Sequence, residues 1–314
     1  MLLSVCIPTY NRAQYLAKTL QSIVEQDGFG DKVEIVISDN CSTDSTGELC
    51  RGFAEKYRNI RYHRNGENVR DENLVMVLER ASGEYLKLVN DTAIFLPGAL
   101  HELILLVERY HSAKPVLFFL NRNVSKNEIC EFCSLDSFVR RTSFFVTWVL
   151  GFGIWRDHFQ RIETKTEGVE LNLVQTVLLF KNVAQVSRAI VFTKELFSVQ
   201  DVKDKGGYNL MDVFVGNYVG KVLLQYYRRH KVSIRTYALE KTKLLIRFLV
   251  PWFITLNRPE SRYRISTKGS YKVLLKYYWS NPFLYAGMIY AGVRLATAHF
   301  KRMLKRALNA LKIA

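Results

Sequence analysis

Two carboxylates stand where the sequence could do chemistry. Asp39 closes the run Val33-Glu34-Ile35-Val36-Ile37-Ser38 and is followed by Asn40, Ser42, Thr43 and Asp44. A carboxylate among amides and hydroxyls can accept hydrogen bonds from a heterocyclic base N–H or from ribose hydroxyls. Asp91 closes a second run, Tyr85-Leu86-Lys87-Leu88-Val89-Asn90. A neighbouring pair of carboxylates there would hold a divalent cation against a diphosphate, but Thr92 and Ala93 follow instead. Arg12, Arg70 and Lys87 are cations able to steady a diphosphate leaving group. Each of these residues also has a plainer use. Ser42 or Asp44 would cap the next helix, and an isolated Arg or Lys is commonly a solvated surface charge.

The elements that position them read clearly. Ser4-Val5-Cys6-Ile7-Pro8-Thr9 and Val33–Ser38 are apolar, β-branched runs bounded by polar turn residues, as expected of strands buried on both faces. Leu16, Leu20, Ile23 and Val24 recur between them at helical spacing. The order strand, helix, strand makes a parallel βαβ unit. Further helices are expected over 44–57, 71–82 and from Pro97-Gly98 to Tyr110, and further strands at 61–63, from Glu84 to the carboxylate of Asp91, and at 116–120. The chain is therefore expected to be α/β, a Rossmann-like, mostly parallel sheet flanked by helices. Ligands of such sheets bind beyond the carboxyl ends of the strands. Thr9, Tyr10, Asn11, Arg12, Asp39 and Asn40 fall there.

The charge is divided unevenly. The 314 residues carry a net +16; residues 1–220 hold 25 Lys and Arg against 27 Asp and Glu, and residues 221–314 hold 20 against 2. The basic tail should seek polyanions. Its apolar runs at Leu244–Leu256 and Phe283–Val293 fall short of the ~20 residues that span a bilayer. Near the end, Phe300, Met303, Leu304, Ala307, Leu308 and Leu311 share one helical face, and Lys301, Arg302, Lys305, Arg306 and Lys312 occupy the rest. A basic amphipathic helix rich in aromatics suits the interface of an anionic membrane better than nucleic acid, and no nucleic-acid partner is expected. The same pattern also suits a helix packed on its own globule. Five cysteines give no disulfide framework, and the lone Cys130/Cys133 pair lacks the partners of a metal site. This usage and the start MLLSVCIPTY, which lacks the features of a signal peptide, lead to the expectation of a cytoplasmic protein.

The stretches VCIPTYNRAQYLAKTLQSIVEQ and VEIVISDNCSTDST, followed by NGENVRDENL, ASGEYLKLVND and FLPGAL, resemble the family 2, GT-A-fold inverting glycosyltransferases. The likeness is nearest to bacterial members that build O-antigen or capsular polysaccharide. It covers about residues 2–110 and continues more weakly to about 225. It implies a GT-A domain over 1–225, with a nucleotide-binding half to about 110 and an acceptor-side half over 111–225, and leaves 226–314 as a membrane-associating region. The resemblance implies transfer of a sugar from a nucleotide-sugar, UDP-linked by preference, to an acceptor carried on undecaprenyl diphosphate. Pro8, Thr9, Tyr10, Asn11 and Arg12 match the first nucleotide loop, and Asp39, with Asn40, Ser42 and Asp44, the base-contacting aspartate. Asn90-Asp91-Thr92 takes the place of the Asp-x-Asp motif. Asp91 alone would serve as metal ligand, so the motif argues against a strong need for Mg²⁺ or Mn²⁺. Arg70, where relatives commonly have glycine, would supply charge in the metal's place. Glu170 corresponds best to the general base, with Asp157 second; Glu170 equally suits a helix's first turn. Trp155 would face the acceptor sugar or pack in the core. The missing carboxylates keep a second reading open, a catalytically weak or inactive nucleotide-binding scaffold. Donor sugar, linkage and oligomeric state are not legible.

Overall fold

The computed structural model describes residues 1–122, 129–202, 206–259, 261 and 263–311; of these, the side chains of 206, 207, 264 and 304–311 are left out of the description. The chain divides into two compact units, Met1–Asp201 and Val202–Ala314. The sequence reading set the division at 225/226.

The first unit is built on β1 (Leu3–Thr9), α1 (Ala13–Val24), β2 (Val33–Asp39), α2 (Thr46–Lys56), β3 (Ile60–Arg64), α3 (Asn73–Arg80) and β4 (Tyr85–Leu88). After these come β5 (Ala93–Phe95), α4 (Ala99–Tyr110), β6 (Val116–Phe119), β7 (Ile129–Phe132), α5 (Leu135–Thr142), β8 (Gly153–Trp155), α6 (Arg156–Arg161), α7 (Val174–Val186), β9 (Ala189–Phe192) and β10 (Phe197–Val199). The central sheet has the order β3-β2-β1-β4-β8; its first four strands are parallel and β8 is antiparallel. β1, β2 and β4 are buried from end to end, apart from half-buried Pro8, which is why they read as unbroken apolar runs. β6 is a strand as expected, but it belongs to a second small sheet with β9 and β7.

One polar cluster braces this core. Glu34, 2% exposed, accepts from Ser4 Oγ (2.6 Å), from Ser82 N–H (2.6 Å) and Oγ (2.9 Å), from Gly83 N–H (3.2 Å) and from Arg61 (3.3 Å). These hydrogen bonds outweigh burial and hold its carboxyl below the usual range. Gly83 is fixed by the same contact: a Cβ there would lie 2.8 Å from the Ser4 amide nitrogen.

The second unit is helical, with a parallel strand pair, β11 (Gly206–Asn209) and β12 (Arg264–Ser266). A π-helical stretch, Asp212–Leu223, runs into α8 (Leu224–Arg228). α9 (Ile234–Leu244) passes through a second π-helical stretch, Leu245–Leu249, into α10 (Val250–Leu256). Pro251 therefore does not end the helix; the widened turn before it absorbs the missing N–H. α11 (Ser270–Tyr278) and α12 (Pro282–Leu311) follow. The two segments read separately, Phe283–Val293 and the basic end, are parts of α12. Phe300 and Met303 are 66% and 69% exposed; the side chains of Leu304 to Leu311, and Lys312 altogether, lie outside the described residues. Among the described residues no helix is long and apolar enough to cross a membrane.

Candidate active site

Parallel pairing sets the site. Thr9 is in register with Asp39, and Asp39 with Arg64. Cys6 opposite Leu88 brings Asp91 level with the end of β1, where Thr9 Oγ1 donates to Asp91 Oδ2 at 2.9 Å. The loops after β1, β2 and β4 thus meet at one edge of the sheet.

The first two loops are sewn together. Asn11, at φ +51°, accepts from Thr43 N–H at 2.8 Å, while its own N–H donates to Ser42 Oγ at 2.9 Å. An asparagine tolerates this left-handed backbone. Asp44 accepts from Thr46 and Ala13 amides, which hold its carboxyl low, and Arg12 N–H donates to Thr46 Oγ1. So Asp44 ties α2 to α1. Tyr10 remains 43% exposed and Pro8 half-buried at the cleft edge.

Asp39 is fully enclosed. Its oxygens accept from Ser42 N–H (2.9 Å) and Tyr62 Oη (2.8 Å), with Arg64 Nε at 3.9 Å. In this state the carboxylate organises its own loop and presents no free surface to a base. Asn40 holds the next segment through four bonds, to Asn68, the Arg70 carbonyl, Asn65 and the Val69 N–H. A buried amide chain continues from Asn65 through Asn73 to Ser38. Sequence reading missed Tyr62, Arg64, Asn65 and Asn73 as site residues; Tyr62 counted only within the 61–63 strand and Asn73 only within the 71–82 helix.

Asn40 sets Arg70 in place. Arg70 sits at φ +53°, a region that disfavours side chains with a Cβ, and its guanidinium is exposed without an ion pair among the described residues. The Arg70–Glu72 turn lies against the Val169–Leu171 turn, so Glu170, exposed, stands on the same side of the unit. Asp71, on the first of these turns, has its carboxyl pushed up by burial and is a further acid that the sequence did not single out.

Three expected site residues lie elsewhere. Lys87 is fully buried in mid-strand, opposite Val5 and Gly153. Its Nζ donates to the carbonyls of Leu88 (3.0 Å), Leu150 (2.6 Å) and Phe152 (3.0 Å), and burial pushes it down to about 7. It braces the 150–152 segment and cannot meet a diphosphate. Trp155 is a core residue, 0% exposed, with its indole N–H on the Pro115 carbonyl at 2.7 Å and its ring edge-on to Tyr85. Because β8 runs antiparallel, Trp155 pairs with Tyr85 at the start of β4, and Asp157 begins α6 at the amino-terminal edge of the sheet. There Asp157 pairs with Lys114 (3.4 Å) and Arg161 (3.2 Å). Neither reaches the cleft.

Residues 4–135 match the glycosyl transferase family 2 model. Over this stretch the chain is similar to that family. It is 45% identical over 87 residues to abequosyltransferase RfbV of Salmonella typhimurium, covering 27% of this chain and 26% of the relative. It is 36% identical over 107 residues to GalNAc(5)-diNAcBac-PP-undecaprenol beta-1,3-glucosyltransferase of Campylobacter jejuni, covering 32% and 33%. The chain thus spans about a quarter to a third of the length of these relatives. Among solved structures, S. aureus TarS 1–349 in complex with UDP covers 90% of this chain and 81% of its own at 17% identity, TM-score 0.61. Mannosyltransferase PcManGT from Pyrobaculum calidifontis, in complex with GDP-Man and Mn²⁺, covers 96% and 82% at 17% identity, TM-score 0.57. The fold is that of GT-A transferases.

The family 2 motif at Asn90-Asp91-Thr92 keeps one carboxylate. Thr92 is buried, and its carbonyl accepts from Gln200 N–H at 2.9 Å. Asp91 is half-buried; burial raises its carboxyl to about 6, although the Thr9 hydroxyl and nearby Arg12 pull it down. No cluster of three or more potential metal ligands of the His, Cys, Asp or Glu type occurs among the described residues. Asp91 nevertheless fits a divalent ion held by one carboxylate plus substrate phosphates, because its charge is poorly compensated. The ion competes with a proton for this group. Metal-linked nucleotide affinity should therefore be pH-independent above about 7 and fall about tenfold per unit below 6. Titration of Mn²⁺ and UDP at pH 5, 6 and 7.5 checks this, with Asp91→Asn expected to give a flat profile.

Proposed function

We propose that the chain is an inverting glycosyltransferase that moves a sugar from a nucleoside-diphosphate donor, UDP by preference, to a lipid-linked oligosaccharide in bacterial surface polysaccharide synthesis. The observation that carries the reading is the Thr9–Asp91 bond, which joins the PTYNR loop, the SDNCSTD loop and the Asn90-Asp91-Thr92 corner into one cleft edge. The family 2 match over the same residues supports it. The undecaprenol-linked substrate in the Campylobacter relative's name supports a lipid carrier.

Tyr10, Asn11, Arg12, Asn40, Ser42 and Asp44 frame the nucleotide; Asp91 and Arg70 attend the diphosphate. A divalent ion on Asp91, when bound, neutralises phosphate charge. The acceptor hydroxyl attacks the anomeric carbon in line as the nucleoside diphosphate departs, which inverts the centre. Glu170 takes the hydroxyl proton. Glu170→Gln should lower kcat about a hundredfold with the donor Kd unchanged. An equal loss of both would remove Glu170 from this role.

Arg70 supplies a sharper test. Replacing it with glycine relieves ~1–2 kcal/mol of left-handed strain but adds ~0.5–1 kcal/mol of unfolded-state entropy, so stability changes by less than about 1 kcal/mol. Affinity for the diphosphate should nevertheless fall about tenfold, as expected for a lost charge-assisted contact. Calorimetric titration with UDP, beside a melting curve, separates the two. The basic second unit, with its exposed aromatic residues, would hold the enzyme at the cytoplasmic face of the plasma membrane.

A further inference from the structure

The second unit contains an apolar cavity of about 240 Å³ between α10, α11 and α12. Leu249, Phe253, Leu274, Met288, Gly292 and Leu295 are part of its wall. It opens to solvent past Leu275, Met288 and Tyr271, which are 43%, 54% and 60% exposed. A recess of about 520 Å³ with the opposite chemistry adjoins it along α12. Arg258, Arg294, Lys301 and Arg302 line this recess with Pro259 and Thr297. Leu295 of the cavity and Arg294 and Ala298 of the recess fall within one helical turn.

None of these four cations forms an ion pair among the described residues, and no described acid lines the recess. Arg302 donates to the Pro259 carbonyl at 3.2 Å, and Arg294 packs over Tyr290. α12 carries no Asp or Glu in its 30 residues. Four uncompensated charges beside an apolar slot repel one another, and an anion bearing at least two oxygens would relieve that. A free anion would leave the cavity unfilled, and a neutral hydrocarbon would leave the charges bare. Only an amphiphile satisfies both halves.

We propose that the second unit holds a single anionic phospholipid, its phosphate head in the Arg258–Arg294–Lys301–Arg302 recess and one hydrocarbon chain in the cavity beside Gly292. This is a discrete site, distinct from diffuse adsorption of a basic surface, and it does not depend on the sugar-transfer reading.

The probe is dodecyl phosphate below its micelle concentration, titrated into the full chain and followed by calorimetry. Dodecyl maltoside and inorganic phosphate serve as the neutral-head and chain-free comparators. One mole should bind per mole of chain, at least tenfold more tightly than either comparator. Gly292 lines the cavity and a Cβ there meets no atom within 4 Å, so Gly292→Leu adds bulk at the wall and should weaken binding at least tenfold. Arg294→Gln should do the same and reduce the salt dependence. Equal affinity for dodecyl phosphate and maltoside, equal affinity for inorganic phosphate, or uptake that never saturates would overturn the proposal. So would wild-type affinity in Arg294→Gln, a surface change that stands as the deciding variant should Gly292→Leu melt early. The donor-nucleotide Kd, measured alongside, reads the first unit separately.

Discussion

Asp91→Asn lowers sugar transfer about a hundred- to a thousandfold and leaves the protein at least as stable as before. Asp91 is the single carboxylate of its corner and, in the proposed site, would face the donor diphosphate. The asparagine oxygen can still accept from Thr9 Oγ1, so the three loops stay joined. What disappears is the charge, and removing one preorganised electrostatic group from a reacting centre typically costs 10²–10³ in rate. Stability should move the other way. The folded-state carboxyl titrates at about 6, above its usual 3.8, so ionisation opposes folding. The wild-type protein therefore loses stability as pH rises from about 4 to 6, and the asparagine variant escapes that loss. Steady-state transfer at pH 7.5, with melting curves at pH 4.5 and 7.5, checks both signs. A variant that lost activity and stability together would reduce Asp91 to a structural brace.

Glu34→Ala has the largest expected effect on folding, about 3–5 kcal/mol at pH 7.5. The change strands the Ser82 amide, two hydroxyls and the Arg61 guanidinium around a void, and leaves the Gly83 N–H on Ser4 Oγ alone. Glu34→Gln keeps an acceptor oxygen and should cost only about 1–2 kcal/mol. The folded-state carboxyl lies below its usual value, so its contribution is full above pH 4.5 and fades as pH falls through the folded value. The gap between wild type and Glu34→Ala should then narrow in acid. Urea denaturation at pH 7.5 and 3.5 measures it; a gap under 1 kcal/mol at pH 7.5 would mean that water replaces the carboxylate.

How far the sequence carried depended on the range of the interaction. Strands buried on both faces announce themselves, and so the sheet and the ends of β1, β2 and β4 were legible. The direction of β8 was not. Nothing in Gly153-Ile154-Trp155 says that β8 runs antiparallel, and that reversal takes Trp155 and Asp157 away from the cleft. Lys87 misled for a related reason: an ammonium in a buried strand looks functional until three backbone carbonyls are seen around it. The closure of Asp39 by Tyr62 and Arg64 depends on β2–β3 register, which spacing alone does not fix. Arg70 is the informative case. The family resemblance implies that it stands in a glycine's place, and its φ of +53° gives a physical reason for glycine there.

The central claim is that the three loops at the carboxyl edge of the sheet make one site for a nucleoside-diphosphate sugar. Equilibrium titration of the full chain with a panel of UDP-, GDP- and dTDP-sugars, with and without Mn²⁺, tests it most directly. The account predicts that one nucleotide class binds at one mole per mole of chain, with affinity reduced at least tenfold in Arg70→Gly and unchanged in Asp157→Asn, whose side chain lies at the opposite sheet edge. Failure of every nucleotide-sugar to bind, or binding that Asp157→Asn weakens and Arg70→Gly does not, would contradict it.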